Sequence, residues 1–359
     1  MLTGNKGEWS EVYTLLKIIT DQKLFAGDSE LNKIENLFFP IIKILRDESN
    51  GTYEFGYDND IVLIKGNEVE FKIPITKFKE QAVLLLSRLK ETTSTTFSIP
   101  ETETFINSFN SSSLKARSSV KSDIRIVIHD LRNGTLPELG FSIKSQIGEA
   151  STLMNAGRTT NFVYKIENVY LTDNQIETIN AIETSSKIKD RIERIHEYSG
   201  NLHFIDTESS IFGNNLTLID SSLSLILAEI LHLFFTSSYS KMRDLVNIIS
   251  ESNPLRYNLA TNHPFYTYKI KRFLTDIALG MMPSKVWTGE LDSTGGYLVV
   301  KEDGEVLCYH IYNRNDFEHY LLNNTKLETA SSNRHDFGKV YKMDDGQYFN
   351  LNLQIRFIK

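Results

Sequence analysis

The chain has 359 residues, 40% hydrophobic and 24% charged, which suffices for a sizeable core and excludes a disordered tail protein. Its one cysteine, Cys308, excludes an intramolecular disulfide and a cysteine zinc cage, as expected in a reducing cytoplasm. A net charge of −7 speaks against indiscriminate nucleic-acid binding.

Basic surface is nevertheless available locally. Arg256, Lys269, Lys271, Arg272 and Lys285 oppose only Asp276 in their stretch, and Lys115, Arg117, Lys121, Arg125, Arg132 and Lys144 outnumber Asp123, Asp130 and Glu138. At about 150 residues per domain the length suggests two or three units. We expect an N-terminal α/β subdomain over 1–110, a central core over 111–285 and a β-rich unit over 286–359.

No basic segment followed by an apolar one opens the chain, so no signal peptide is expected. Glu8 to Ile19 carries Trp9, Val12, Leu15, Leu16 and Ile19 at helical spacing. A second helix is expected over Leu31 to Arg46, kinked at Pro40. Short strands follow from Tyr53 to Ile75, split at Asn59-Asp60 and Gly66-Asn67, and then a helix over Lys77 to Glu91. Thr92 to Ser119, rich in Ser and Thr, reads as a connection.

Further along, Asn161 to Tyr170 and Asn201 to Ile205 read as strands, and Ile188 to Tyr198, Thr217 to Phe235 and Lys241 to Ser250 as helices. The apolar run Leu223 to Phe235 falls short of the roughly 20 residues of a membrane span. Tyr297 to Lys301 and Val306 to Tyr312 flank Asp303-Gly304 as a hairpin, and Tyr348 to Ile358 alternates as a strand. Asn315 to Asn323 reads as a short helix and Asn324 to Lys339 as a polar loop.

The chemistry is concentrated between Asp123 and Lys144. Two alternating segments, from Asp123 and from Glu138, are joined across Asn133-Gly134, and a type I′ turn there sets Asp123 opposite Lys144 and Arg125 opposite Ser142. One face is then Ile124, Ile126, Ile128, Leu139, Phe141 and Ile143, fit for a core. The other gathers Asp123, Ser142 and Lys144, with Gln146 one alternation further on. A carboxylate beside an ammonium suits metal-assisted phosphodiester hydrolysis, with Asp123 holding Mg²⁺ and Lys144 orienting or deprotonating water. The same spacing also fits a hairpin with a solvated ion pair. His129, His196 and His232 read as structural.

An Asp opening one strand and x-Lys closing the next resembles the PD-(D/E)xK nuclease superfamily, with Ser142 where an acid is usual. Three blocks resemble the HpaII-type restriction endonucleases over nearly the whole chain: Gly-Asn-Lys-Gly-Glu-Trp-Ser-Glu-Val-Tyr from Gly4, Glu-Leu-Gly-Phe-Ser-Ile-Lys-Ser-Gln from Glu138, and Gly-Gly-Tyr-Leu-Val-Val-Lys-Glu-Asp-Gly-Glu-Val-Leu-Cys-Tyr-His from Gly295. The resemblance implies an α+β fold with a mixed sheet flanked by helices and cleavage of double-stranded DNA at 5′-CCGG-3′. It also implies a bacterial restriction-modification system with a partner methyltransferase. Catalysis would fall to Asp123, Lys144, Ser142 and Gln146, and Glu11 on the first helix would replace the lost acid as a second Mg²⁺ ligand, in preference to Glu8.

A CCGG site demands Arg or Lys for guanine and an acceptor for cytosine. Arg334, with Asn333 and His335, is the first choice for base reading, followed by Arg314. Phosphate contacts fall to Lys269, Lys271, Arg272 and the segment from Arg158 to Asn161. A palindromic target suits a homodimer or two successive monomer cuts. Two other functions stay open at this point: a related DNA-repair nuclease, and a DNA-binding protein that keeps the hairpin without catalysis.

Overall fold

The structure is a computed structural model and describes residues 2–66, 69–111, 113–114, 122–131 and 133–359. Lys115, Arg117, Lys121 and Arg132, counted above as basic surface, lie outside the described residues. The first helix, α1 (Lys6–Asp21), starts at a reciprocal cap: the Asn5 side chain accepts the Glu8 N–H at 3.0 Å, and the Glu8 carboxylate accepts the Asn5 N–H at 2.7 Å. Glu8 is therefore committed to capping. The expected face of Trp9, Val12, Leu15, Leu16 and Ile19 is buried.

The strands β1 (Lys23–Gly27), β2 (Lys33–Glu48), β3 (Gly51–Asp58), β4 (Ile61–Gly66) and β5 (Val69–Pro74) follow, then the helix α2 (Ile75–Glu91). The stretch expected as a kinked helix from Leu31 is thus mostly β2. Its Ile- and Phe-rich run satisfies a helical spacing, but β-branched residues fit a pleated surface better. Pro40 marks a change of neighbour: β2 pairs with β1 as far as Pro40 and with β6 (Ile124–Ile128) from Ile41 onward, so the missing N–H falls where the ladder changes hands.

Two further expectations are corrected. The connection from Thr92 contains a helix, Pro100–Asn107, started by a proline in its first turn with Glu101 and Glu103. The expected single helix from Thr217 to Phe235 is two, Ser210–Ile219 and Leu223–Thr236, bent by 110° where Asp220 caps the first. Among the described residues no single helix is long and apolar enough to cross a membrane. The basic helix Phe265–Leu279, read above only for its charge, packs beside the helix Arg314–Asn323.

The hairpin of β6 and β7 (Glu138–Ser145) forms with a register different from that expected. Ile124 pairs with Phe141 and Arg125 with Gly140, not with Ser142, and extrapolating the pairing sets Asp123 beside Ser142. The tight turn at Asn133-Gly134 gives way to a longer loop closed by an Asp130–Thr135 bridge, in which the Asp130 carbonyl accepts the N–H groups of Asn133 and Gly134. A shift of two residues leaves the faces intact. Ile124, Ile126, Ile128, Leu139 and Phe141 are buried.

Beyond the hairpin lie β8 (Thr152–Met154), β9 (Asn161–Glu167), β10 (Asn201–Thr207), β11 (Gly296–Val300), β12 (Val306–His310), β13 (Thr325–Leu327), β14 (Val340–Met343), β15 (Gly346–Asn352) and β16 (Ile355–Phe357). Among the described residues the largest sheet runs β1-β12-β11-β7-β6-β2-β3-β4-β5, and β1 also pairs with β2. The six strands from β1 to β2 in that order close into a ring, because β2 is long enough to serve β1 with one half and β6 with the other. The fold is mixed α+β, as expected. The hairpin β11–β12 sits in this sheet, with β11 parallel to β7, while β14 and β15 join β9 and β10 in a second sheet and β13 and β16 join β8 in a third.

Two cores flank the large sheet. One gathers α1, α2 and the inward residues of β2 to β7, including Leu298 and Cys308; the other gathers the later helices and the second sheet, including Tyr297, Val299 and Tyr309. Arg46 of β2 is a charge inside the first, only 2% exposed. Its Nη2 donates to the carbonyls of Ser113 at 3.1 Å and Leu114 at 2.7 Å, and its Nη1 lies 3.7 Å from the Glu48 carboxylate, itself an acceptor of the Ser111 hydroxyl at 2.5 Å. This latch fastens the segment that leads toward Asp123 onto β2. Replacing Arg46 by Met removes the cation facing Glu48 and two carbonyl bonds, so Arg46→Met should cost about 3–5 kcal/mol. A urea denaturation midpoint that does not move would contradict that role.

Candidate active site

The face of β7 opposite the first core carries Ser142 and Lys144, and the parallel strand β11 sets Tyr297 beside Ser142 and Val299 beside Lys144. Asp123 comes to the same place from the start of β6. Its N–H donates to the Phe141 carbonyl at 2.9 Å, and its Oδ2 accepts the Ile143 N–H at 2.7 Å, so the carboxylate is fixed against the β7 backbone. Glycines keep the strands close here: a Cβ on Gly295 would lie 2.8 Å from the Phe141 ring, and one on Gly296, at φ 107°, would lie 2.1 Å from the Tyr309 carbonyl oxygen. Substitution at Gly296 therefore meets backbone.

Glu11 lies on α1, which packs on β7. Burial pushes the Lys144 ammonium below its ordinary value, and the negative charges of Asp123 and Glu11 oppose that shift. The same two carboxylates act on the buried Arg46 guanidinium, which burial also pushes down against the pull of Glu48, Glu11 and Asp123. Asp123 and Glu11 thus act electrostatically on two cations that burial disfavours, Lys144 and Arg46. Among the described residues no group of three His, Cys, Asp or Glu side chains is spaced to cage a metal. Mg²⁺ asks for less, since it keeps waters and is commonly held by one or two carboxylates together with substrate phosphate. The oxygen donors of Asp123 and Glu11 fit that demand.

Ser142, where an acid was expected, has its hydroxyl 3.1 Å from that of Ser293. Both border a cleft of about 440 Å³ between the segment 153–159 and the segment 277–284. Gln146 donates its N–H to the Val300 carbonyl at 2.8 Å and lines a narrow crevice with Lys144, Val299 and Tyr320. His129 is at the other end of β6, donating its N–H to the Pro40 carbonyl. His196 and His232 face each other with ring centroids 6.2 Å apart, and burial and the His196 charge push His232 below its ordinary value.

The residues read for DNA contact gather in two groups. In the first, Arg158 pairs with Glu208 at 3.0 Å and with Asp336 at 3.3 Å, next to the short helix Ser332–His335 that carries Asn333, Arg334 and His335. Asn161 ties the group together, donating to Glu208 at 2.7 Å and to the His335 carbonyl at 2.9 Å. Arg334 and Asn333 are exposed, although Asn333 borders a separate groove with Ser185 to Lys189. Thr159, adjacent to Arg158, lines the cleft that Ser142 borders, so this group stands at the cleft's edge.

The second group lies on the paired helices Phe265–Leu279 and Arg314–Asn323. Lys271 contacts the His319 ring at 3.0 Å, Arg272 pairs with Asp276 at 3.2 Å, and Arg314 pairs with Glu318 at 2.6 Å. Lys269 is paired with Asp220. Burial pushes the Asp276 carboxyl up, against Arg272 and Arg314. Arg46, Ser293, Glu208 and Tyr297 were missed by the sequence reading. An Ile44-Arg46-Glu48 alternation would have flagged Arg46 once β2 was seen as a strand, whereas Ser293 and Glu208 carry no local signal.

Comparison with known proteins identifies the family. A family model described as the HpaII restriction endonuclease matches residues 5–357. The Type II restriction enzyme HpaII of Haemophilus parainfluenzae is 50% identical over 361 residues, covering 99% of this chain and 99% of that protein. No solved structure matches the chain. The match spans α1, the β6–β7 hairpin and β11, and the chain belongs to the HpaII restriction endonuclease family.

Proposed function

We propose that this Type II restriction endonuclease hydrolyses double-stranded DNA at 5′-CCGG-3′ by Mg²⁺-assisted attack of water on the face of β7 that carries Ser142 and Lys144. The observation that carries this reading is a half-buried lysine, Lys144, under the charge of Asp123 and Glu11, on the same face of β7 as Ser142 at an open cleft. We read the mixed sheet around it as a PD-(D/E)xK-type core on the order of Asp123 and Lys144 along β6 and β7. Asp123 and Glu11 would hold Mg²⁺, which when bound offsets charge on the scissile phosphate and acidifies water.

The rest falls to this chain's own groups. Lys144, kept from bulk water, orients the attacking water and faces the phosphate; its depressed pKa suits a role in proton transfer. The Ile143 N–H holds the Asp123 carboxylate in its orientation. The Ser142 and Ser293 hydroxyls at the cleft, and Gln146 in the crevice with Lys144, are assigned to phosphate contact.

Sequence reading is assigned first to Arg334, with Asn333 and His335, and secondarily to Arg314. Arg158, Lys271 and Arg272 are assigned to phosphates. The residues 286–359 then serve both as part of the catalytic sheet and in recognition. A palindromic target is served by a homodimer or by two successive cuts. A cognate methyltransferase would protect host sites in the bacterial cytoplasm.

Digestion of a plasmid of known sequence with Mg²⁺ tests the catalytic assignment. The wild-type protein should cut at CCGG, and Asp123→Ala and Lys144→Ala should each lower the rate at least about a hundredfold. Cuts at other sequences would refute the target, and no cutting by the wild type would favour a DNA-binding protein without catalysis. Anisotropy titrations in EDTA test the interface. Arg334→Ala should weaken CCGG binding by about 1–3 kcal/mol and barely affect an unrelated duplex. Arg158→Ala should weaken both and lower the salt-dependence slope by about 1; equal losses on both duplexes for Arg334→Ala would remove it from base reading.

A further inference from the structure

In the parallel pairing of β7 with β11, Tyr297 pairs with Ser142 and Val299 with Lys144. Alternate residues of a strand share a face, so the Tyr297 ring, the Ser142 hydroxyl and the Lys144 side chain project to the same side. Lys144 leans back along the strand, and its Nζ lies 5.2 Å from the centroid of the Tyr297 ring. A cation at that distance over an aromatic face is attracted by the ring quadrupole, the more so when water is kept away.

The ring is held on every side. Tyr297 is 2% exposed, its hydroxyl donates to the Ala278 carbonyl at 3.2 Å, and Phe317 meets it edge-on at 5.3 Å with Phe357 at 6.1 Å. Ala278 itself lines the cleft beside Ser142. We propose that Tyr297 is a positioning residue of the active site, whose ring face fixes the Lys144 ammonium and whose hydroxyl ties that ring to the cleft wall. The ring does not touch the reacting atoms. It narrows the range of positions open to a long side chain, so that Lys144 meets the phosphate and water already aligned. The inference rests on the assignment of Lys144 to catalysis.

The test uses the full chain with lysine labelled with ¹³C at Cε. In the wild type, one lysine resonance, absent from Lys144→Met, should be displaced upfield by the aromatic ring current. Tyr297→Leu should lose that displacement and slow single-turnover cleavage of a CCGG duplex roughly 10- to 30-fold, with the Kd in EDTA changed by less than about twofold. Tyr297→Phe, which keeps the ring, should restore both the displaced resonance and most of the rate. If Tyr297→Leu does not melt cooperatively, Tyr297→Met replaces it. An undisplaced Lys144 resonance in the wild type, or an undiminished rate without the ring, overturns the proposal. Full cutting by Lys144→Met would instead overturn the role of Lys144 itself.

Discussion

Lys144 is half-buried, the charges of Asp123 and Glu11 oppose the cost of that burial, and much of the structure around it serves to make the burial tolerable. A lone charge in such a place would neutralise or drive the strand outward. Here the opposing charges come from different parts of the chain, Asp123 from the start of β6 and Glu11 from α1, so that balance depends on the sheet and its covering helix together. Arg46 extends the balance inward, facing Glu48 and the same two carboxylates from the first core.

The closed ring of six strands is the frame for this arrangement. Because β2 bends from β1 to β6, the sheet closes on itself and brings β11 alongside β7, which puts Tyr297 and Val299 next to Ser142 and Lys144. One face of β7 and β11 is spent on the core with α1. The other faces the later helices and the second sheet, which carry Arg158 and the Arg334 helix. The cleft beside Ser142 opens on that second face, with Thr159, next to Arg158, in its lining.

The sequence made α1 legible through its spacing and the hairpin through strict alternation, and the face of β7 that carries Ser142 and Lys144 followed from parity alone. Parity also survived the error in the turn, since moving the register by two residues returns every side chain to its own face. The long strand β2 was misread because its apolar residues happen to recur at helical spacing, and Pro40 looked like a kink rather than a change of neighbour. Without β2 the ring was invisible, and with it Arg46 and the position of β11. Tyr297 and Ser293 depend on a parallel pairing between strands more than a hundred and fifty residues apart, which no local pattern encodes.

The most direct measurement replaces Mg²⁺ by Fe²⁺ and generates hydroxyl radicals with ascorbate and peroxide, so that the backbone is broken beside the bound ion. Sequenced fragments should end next to Asp123, within residues 142–144 and near Glu11, and Asp123→Ala should abolish all three. Breaks confined to another part of the chain, such as the neighbourhood of His196 and His232, would show that the metal and the chemistry lie away from the β6–β7 hairpin.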